Sequence, residues 1–282
     1  NNKLSFSFEW YKKKISGLLF RKQSLIANYA GGATQPIINS GDIQNTGLDM
    51  NATYRAKIGS DFHFDVTANL TTYKSKIVSL PAGYKYQDYS SSGSTRIGAF
   101  SRAQPGQPIG EFFGYKVVGI FQDASDVAKS PTQDGANPGR FKFADVNNDG
   151  AVNDQDRTWI GNPNPDFTYG ITINAGYKNF DFSVFFYGSQ GNQVVNFVKY
   201  WTDFTQVFRG GISKDALYKS AILVNAAGQP TTVNDPTAHV SNPGATVPVL
   251  ETNGNFNNSS KFNSFYVEDG SFLKCRSLIL GY

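Results

Sequence analysis

Residues 48–70, LDMNATYRAKIGSDFHFDVTANL, decide the fold. Leu48, Met50, Ala52, Tyr54, Ala56 and Ile58 fill every second position, with Asp49, Asn51, Thr53, Arg55 and Lys57 between them. After Gly59-Ser60-Asp61 the alternation resumes as Phe62, Phe64, Val66, Ala68 and Leu70 against His63, Asp65, Thr67 and Asn69. A period of two marks a β-strand with one apolar face. Two such runs joined by a short Gly-containing connection mark an antiparallel hairpin. The pattern predicts strands over 42–58 and 62–78, about twice the usual globular length.

The alternation recurs on both sides of this stretch. Leu4, Phe6, Phe8 and Trp10 oppose Lys3, Ser5, Ser7 and Glu9. Ile171, Ile173, Ala175 and Tyr177 lead through a tight Lys178-Asn179 turn into Phe180, Phe182, Val184 and Phe186, and Leu278, Leu280 and Tyr282 repeat the style. Aromatics at 15% and 28 glycines fit pleated surfaces linked by many turns. The connections are unequal. Residues 59–61 and 178–179 are tight, whereas 21–41, 79–165 and 189–270 are long and polar, which a compact soluble domain rarely tolerates. The expected fold is all-β: an antiparallel segment, about six strands in residues 1–282, of a large transmembrane β-barrel with long extracellular loops. The competing arrangement is a secreted, calcium-stabilised β-sandwich that binds carbohydrate or acts as an adhesin. In it the Phe62–Leu70 and Phe180–Phe186 rows would face each other across a core.

Other features bound the function. No apolar run approaches the roughly 18 residues of a membrane helix, which leaves a barrel open. The net charge of +4 is scattered rather than striped, so no nucleic-acid surface is expected. Cys275 is the sole cysteine and excludes an internal disulfide. Both ends fall inside strands, so the chain reads as a piece of a longer protein. His63 and His239 pair with no motif, Glu268 and Asp269 read as a solvated turn, and GSQGNQ (188–193) lacks the crossover helix of a phosphate loop. No enzymatic constellation stands out.

Asp145 to Ile160, DVNNDGAVNDQDRTWI, has the spacing of a calcium loop without flanking helices. Asp145, Asn147 and Asp149 would supply side-chain oxygens, Gly150 the sharp turn, Ala151 its carbonyl, Asn153 a direct or water-mediated contact, and Asp156 the closing carboxylate. Such an ion, Ca2+, would be structural, ordering a long polar loop. The alternative is a cluster of Asx turns that binds nothing.

Aromatics near strand ends (Trp10, Tyr11, Tyr54, Tyr73, Tyr169, Tyr177, Tyr187, Tyr282) would either form interfacial girdles or pack against neighbouring strands. Tyr84, Tyr86, Tyr89, Tyr200, Trp201, Phe204 and Phe208 fall in loops, where they would either stack on a ligand or fill the loops' own cores. Arg96, Arg102 and Arg209 are either solvated surface charges or contacts to ligand or partner.

Five phrases occur in a familiar order: SGDIQNTGLDM (40–50), PGQPIGEFFGYKVVGIFQ (105–122), GRFKFADVNNDGAVNDQDRTWIGNPNPDFTYGI (139–171), YKNFDFSVFFYGSQGNQVVN (177–196) and VEDGSFLKCRSLILGY (267–282). Together they resemble the C-terminal half of SusC-like TonB-dependent transporters of the Bacteroidetes outer membrane. The resemblance implies a 22-stranded barrel in the bacterial outer membrane, with a plug that lies outside these residues. It implies import of bulky nutrients, oligosaccharides or peptides. It also implies two partners: TonB, acting through the plug, and a SusD-like lipoprotein over the extracellular mouth.

Overall fold

The structure is a computed structural model that describes residues 3–21, 37–89, 96–204, 210–251 and 261–282. Six long strands carry it: β1 (Leu4–Ser16), β2 (Asp42–Ile58), β3 (Phe62–Ser79), β4 (Phe167–Tyr177), β5 (Phe180–Gln190) and β6 (Phe272–Gly281). They form one antiparallel sheet in the order β1-β2-β3-β4-β5-β6, each strand beside its neighbour in sequence. That order is a meander, the pattern of an up-and-down barrel wall.

Register sorts the side chains cleanly. Phe6 pairs with Ala52, Ala52 with Ala68, Ala68 with Ile171, and Ile171 with Phe186, so one lateral row is apolar across five strands. The next row holds Leu4, Tyr54, Val66, Ile173, Val184 and Leu278. The opposite side carries Glu9, Asp49, Asn51, Thr67, Asp65, Asn174 and Ser183, with Asn174 donating to Asp65 at 2.9 Å. The Phe62–Leu70 and Phe180–Phe186 rows therefore share one side of one sheet. They do not meet across a core, and the sandwich expectation fails on that point. The apolar side stays open to its surroundings: Leu4 is 65% exposed and Leu280 72%.

Three glycines let cross-strand rings lie flat on the sheet. Tyr11 covers Gly47, Tyr169 covers Gly188 and His63 covers Gly176; a Cβ at any of the three would strike the ring. Such pairs shield backbone that a glycine leaves bare. Of the aromatics expected in girdles, Trp10, Tyr54, Tyr169 and Tyr177 lie on the apolar side. Tyr11, Tyr73 and Tyr187 lie on the polar side, a correction forced by their odd place in the two-residue repeat.

The turns at 59–61 and 178–179 lie at one end of the sheet, where the N–H of Lys178 donates to the carbonyl of Asp61 at 3.0 Å. The long connections leave from the other end. There β3 outreaches β4, and its open edge is covered by the 104–107 turn: the N–H of Ile77 donates to the Gln107 carbonyl, and the N–H of Gly106 to that of Ile77. Among the described residues, no helix is long and apolar enough to cross a membrane.

Candidate functional site

The chain between β3 and β4 and the chain between β5 and β6 do not trail as separate loops. They share one core, in which Phe112, Tyr115, Phe141, Phe143 and Val152 from the first pack with Tyr200, Phe204, Leu223, Phe262 and Tyr266 from the second. Main-chain bonds stitch the two together. The N–H of Phe262 donates to Ile97, that of Tyr115 to Phe262, and that of Ser264 to Tyr115. Arg140 and Glu251 form a buried ion pair across the same seam, Nη2 to Oε1 at 2.7 Å, while Nη1 of Arg140 donates to the Gly135 carbonyl. A 3-10 turn at Ser264–Tyr266, capped by Asn263, drives Tyr266 into the centre.

This core answers the question posed by the loop aromatics. Tyr200 and Phe204 are 3% and 2% exposed. Phe197 stacks on Tyr200, Trp201 meets Tyr200 edge-on, and Phe204 packs on Phe265 and Tyr266. Their expected contact with a ligand is thus corrected: Tyr200 and Phe204 are packing residues, and Trp201 is half-buried beside them with the Arg96 guanidinium 5.4 Å from its ring. Phe208 and Arg209 lie outside the described residues.

The other three tyrosines differ. Tyr84 is half-buried, and Tyr86 and Tyr89 are exposed. Arg102 is held between the rings of Tyr86 and Phe113, its guanidinium carbon 3.7 Å from each centroid, and bonds both carboxylate oxygens of Asp88 at 2.6 and 2.9 Å. A bidentate pair wedged between rings fixes the guanidinium plane. Arg102 is consequently spoken for internally, and it presents the free face of Tyr86 to solvent. Sequence periodicity had no way to mark this stack, because its members come from three short strands, Gln87–Tyr89, Ser101–Ala103 and Phe112–Gly114, and from Tyr86 just before the first.

The segment 145–156 winds as a chain of Asx turns. Oδ1 and Oδ2 of Asp145 accept the N–H groups of Asp149 and Gly150, Oδ1 of Asn147 accepts that of Asp149, Oδ1 of Asp149 that of Ala151, and Oδ1 of Asn153 that of Gln155. Gly150 sits at φ 85°, where its lack of a Cβ is needed. Asp156 is fully buried and accepts the N–H groups of Val146, Asn147 and Asn153. Burial pushes its pKa up, but the three N–H donors, Asn153 foremost, and contact with the Asp145 side chain outweigh burial and hold it below the ordinary carboxylate range. Tyr115 donates to Asp154 at 2.6 Å, and burial followed by that bond raises its pKa well above the ordinary phenol.

The donor set suits a hard cation. Each Oδ that takes one N–H keeps a second lone pair, and none of Asp145, Asp149 and Asp156 makes an ion pair among the described residues. No group of three acid, His or Cys side chains converges on a single point among those residues. Asp145 and Asp156 meet, while Asp149 turns Oδ2 toward the amide of Asn147 at 2.9 Å.

No family model matches the chain. Its whole length aligns with TonB-dependent receptor P3 of Formosa agariphila at 30% identity, covering 25% of that protein. It aligns likewise with TonB-dependent receptor SusC of Bacteroides thetaiotaomicron at 23% identity, covering 24% of it. The structure of the RagAB peptide transporter superposes on 99% of this chain and 27% of its own, with a TM-score of 0.68 at 19% identity. RagAB in its closed-closed state gives 0.69 at 20% identity. The chain therefore spans about a quarter of the length of the relatives it matches, and these are named receptors and transporters, not enzymes. A single meandering sheet, apolar on one side and joined to long loops at one end, is thus met by two comparisons that agree: over its whole length the chain is similar in sequence to SusC-like TonB-dependent receptors, and it folds like the β-barrel portion of the RagAB structure that it superposes on.

Proposed function

We propose that the chain supplies a stretch of wall and two interlocked outer loops to an outer-membrane barrel that imports bulky nutrients, oligosaccharides or peptides. Energy reaches it through TonB, and a SusD-like surface lipoprotein closes the loop side. The observation that carries the reading is the unbroken apolar side of the sheet. On β2 it runs from Ile58 to Leu48 without a charge. At roughly 3.3 Å per residue and a tilt near 40°, that run spans about 25 Å, the height of a barrel's lipid-facing band. Support for the substrate class comes from RagAB, named as a peptide importer, and support for TonB coupling from the names of the relatives. Substrate contact in this segment falls to Tyr86 and Tyr89, exposed, and Tyr84, half-buried outside the shared core. Deleting the full-length gene should abolish uptake of either labelled oligosaccharides or labelled peptides, and a protonophore should do the same to the wild type. Undiminished uptake of both pools would refute import.

We also propose that Asp145, Asn147, Asp149, Ala151, Asn153 and Asp156 hold a structural Ca2+. Spacing, a wound loop and three carboxylates without a cationic partner support it. Binding would need Asp149 to release Asn147 and turn inward, and the smaller reach of Asp at the closing position favours moderate affinity. Calorimetry on the full-length protein should show calcium heats that vanish in Asp145→Ala, with the loop melting at lower temperature in EDTA. Heats that persist unchanged in that variant would sink the assignment.

A further inference from the structure

The apolar side of the sheet ends abruptly at its loop end. The last apolar row is Trp10, Leu48 and Thr72; the next is Lys12, Thr46 and Lys74; the one after is Lys14, Gln44 and Lys76. Register thus gathers four lysines from β1 and β3 onto one patch. With strands about 4.8 Å apart and residues about 3.4 Å apart, it measures roughly 10 by 7 Å between Cα positions. All four are exposed. Lys14 pairs with Asp42 at 3.0 Å, and Lys12, Lys74 and Lys76 make no ion pair among the described residues. Asp42 is the only acid on this side of the six strands, and no other lysine or arginine of the paired rows points the same way. At the turn end the same side closes with Ile58, Phe62, Tyr177 and Phe180, which carry no charge.

This asymmetry has a physical meaning if the apolar side faces lipid, a reading on which the inference rests. Lysines directly above an apolar band, beside a Trp at its boundary, stand at headgroup height. Three unpaired ammonium groups there attract anionic headgroups, and several are needed together because each alone binds feebly. A protein partner fits less well, since the patch continues a lipid-facing surface and the folded loops rise beyond it. We propose that Lys12, Lys74 and Lys76, assisted by Lys14, form a site for the phosphate groups of a lipid in the leaflet on the loop side.

The test is titration of the full-length protein in a neutral detergent with bisphosphorylated lipid A, followed by native mass spectrometry. The triple variant Lys12→Gln, Lys74→Gln, Lys76→Gln should bind about a hundredfold more weakly, roughly fivefold per lysine. The pair Lys13→Gln, Lys57→Gln, on the polar side, should match the wild type. Inorganic phosphate at the same concentration should not displace the lipid. Equal binding by the triple variant, equal loss in the polar-side pair, or displacement by inorganic phosphate would each overturn the site. A full-length protein that stays folded and monomeric without detergent would instead refute the membrane-wall reading beneath it.

Discussion

Arg140→Ala should loosen the two long connections by about 3–5 kcal/mol while leaving the six-stranded sheet intact. Arg140 and Glu251 are both buried, and the guanidinium bonds Oε1 of Glu251 through Nε at 3.0 Å and Nη2 at 2.7 Å. Removing the cation strands a carboxylate in a place that water does not reach, and that penalty exceeds whatever the intact pair contributes. Hydrogen exchange of the full-length protein reads the result. The amides of Phe121 and Val249, which donate to the carbonyls of Arg140 and Gly139, should exchange roughly a hundred- to several-thousand-fold faster, provided the loops open as a unit. The amide of Ile173, inside β4, should not change. Replacing both partners, Arg140→Met with Glu251→Leu, should recover most of the loss, because no charge is then left buried. Unchanged exchange at Phe121 and Val249 in Arg140→Ala would show that the seam does not depend on this pair.

The second large effect concerns the wall. Ile171 lies in the row of Ala68 and Phe186, near the middle of the apolar side. An arginine at the centre of a lipid-facing band costs about 2–4 kcal/mol, so Ile171→Arg should lower stability in bilayers by that amount. Its neighbour Thr172 points to the polar side, and Thr172→Arg should cost much less. Urea titration of the full-length protein folded into vesicles separates the two. Equal losses would refute the lipid-facing side, and a larger loss in Thr172→Arg would mean that the sides of the sheet had been assigned the wrong way round.

The strands were legible in the sequence because a period of two survives wherever one side meets an apolar phase and the other does not. Asp42–Ile58 and Phe62–Ser79 fall within a residue of the alternation read from Asp42 to Val78. Hairpin β4–β5 was equally plain, since Lys178-Asn179 interrupts two unbroken rows. The loops were not legible. Tyr200, Phe204, Phe262 and Tyr266 come from short turns and 3-10 segments with no repeat, so an aromatic that fills a core looks the same as one that awaits a sugar. Tyr11, Tyr73 and Tyr187 differ for a related reason: parity along the strand, not nearness to its end, sets the side that a ring faces. For the Asp145–Asp156 loop the spacing forecast the turns well, because Asp, Asn and Gly dictate local geometry. It could not foretell that Asp156 would be sunk beneath its own N–H donors.

The shared core of the two long connections bears on how the protein is made. Ile97 and Phe262 are joined by a main-chain bond, yet β4 and β5 lie between them in the chain. Neither half can bury Phe141 or Tyr266 alone, so the outer unit closes only after that hairpin has been threaded and the later segment has arrived. Contacts so distant in sequence form slowly, and until they form a cluster of large aromatic side chains stays exposed. Closure of the loop unit therefore follows the β4–β5 hairpin in assembly, and a hairpin that failed to insert would leave it open.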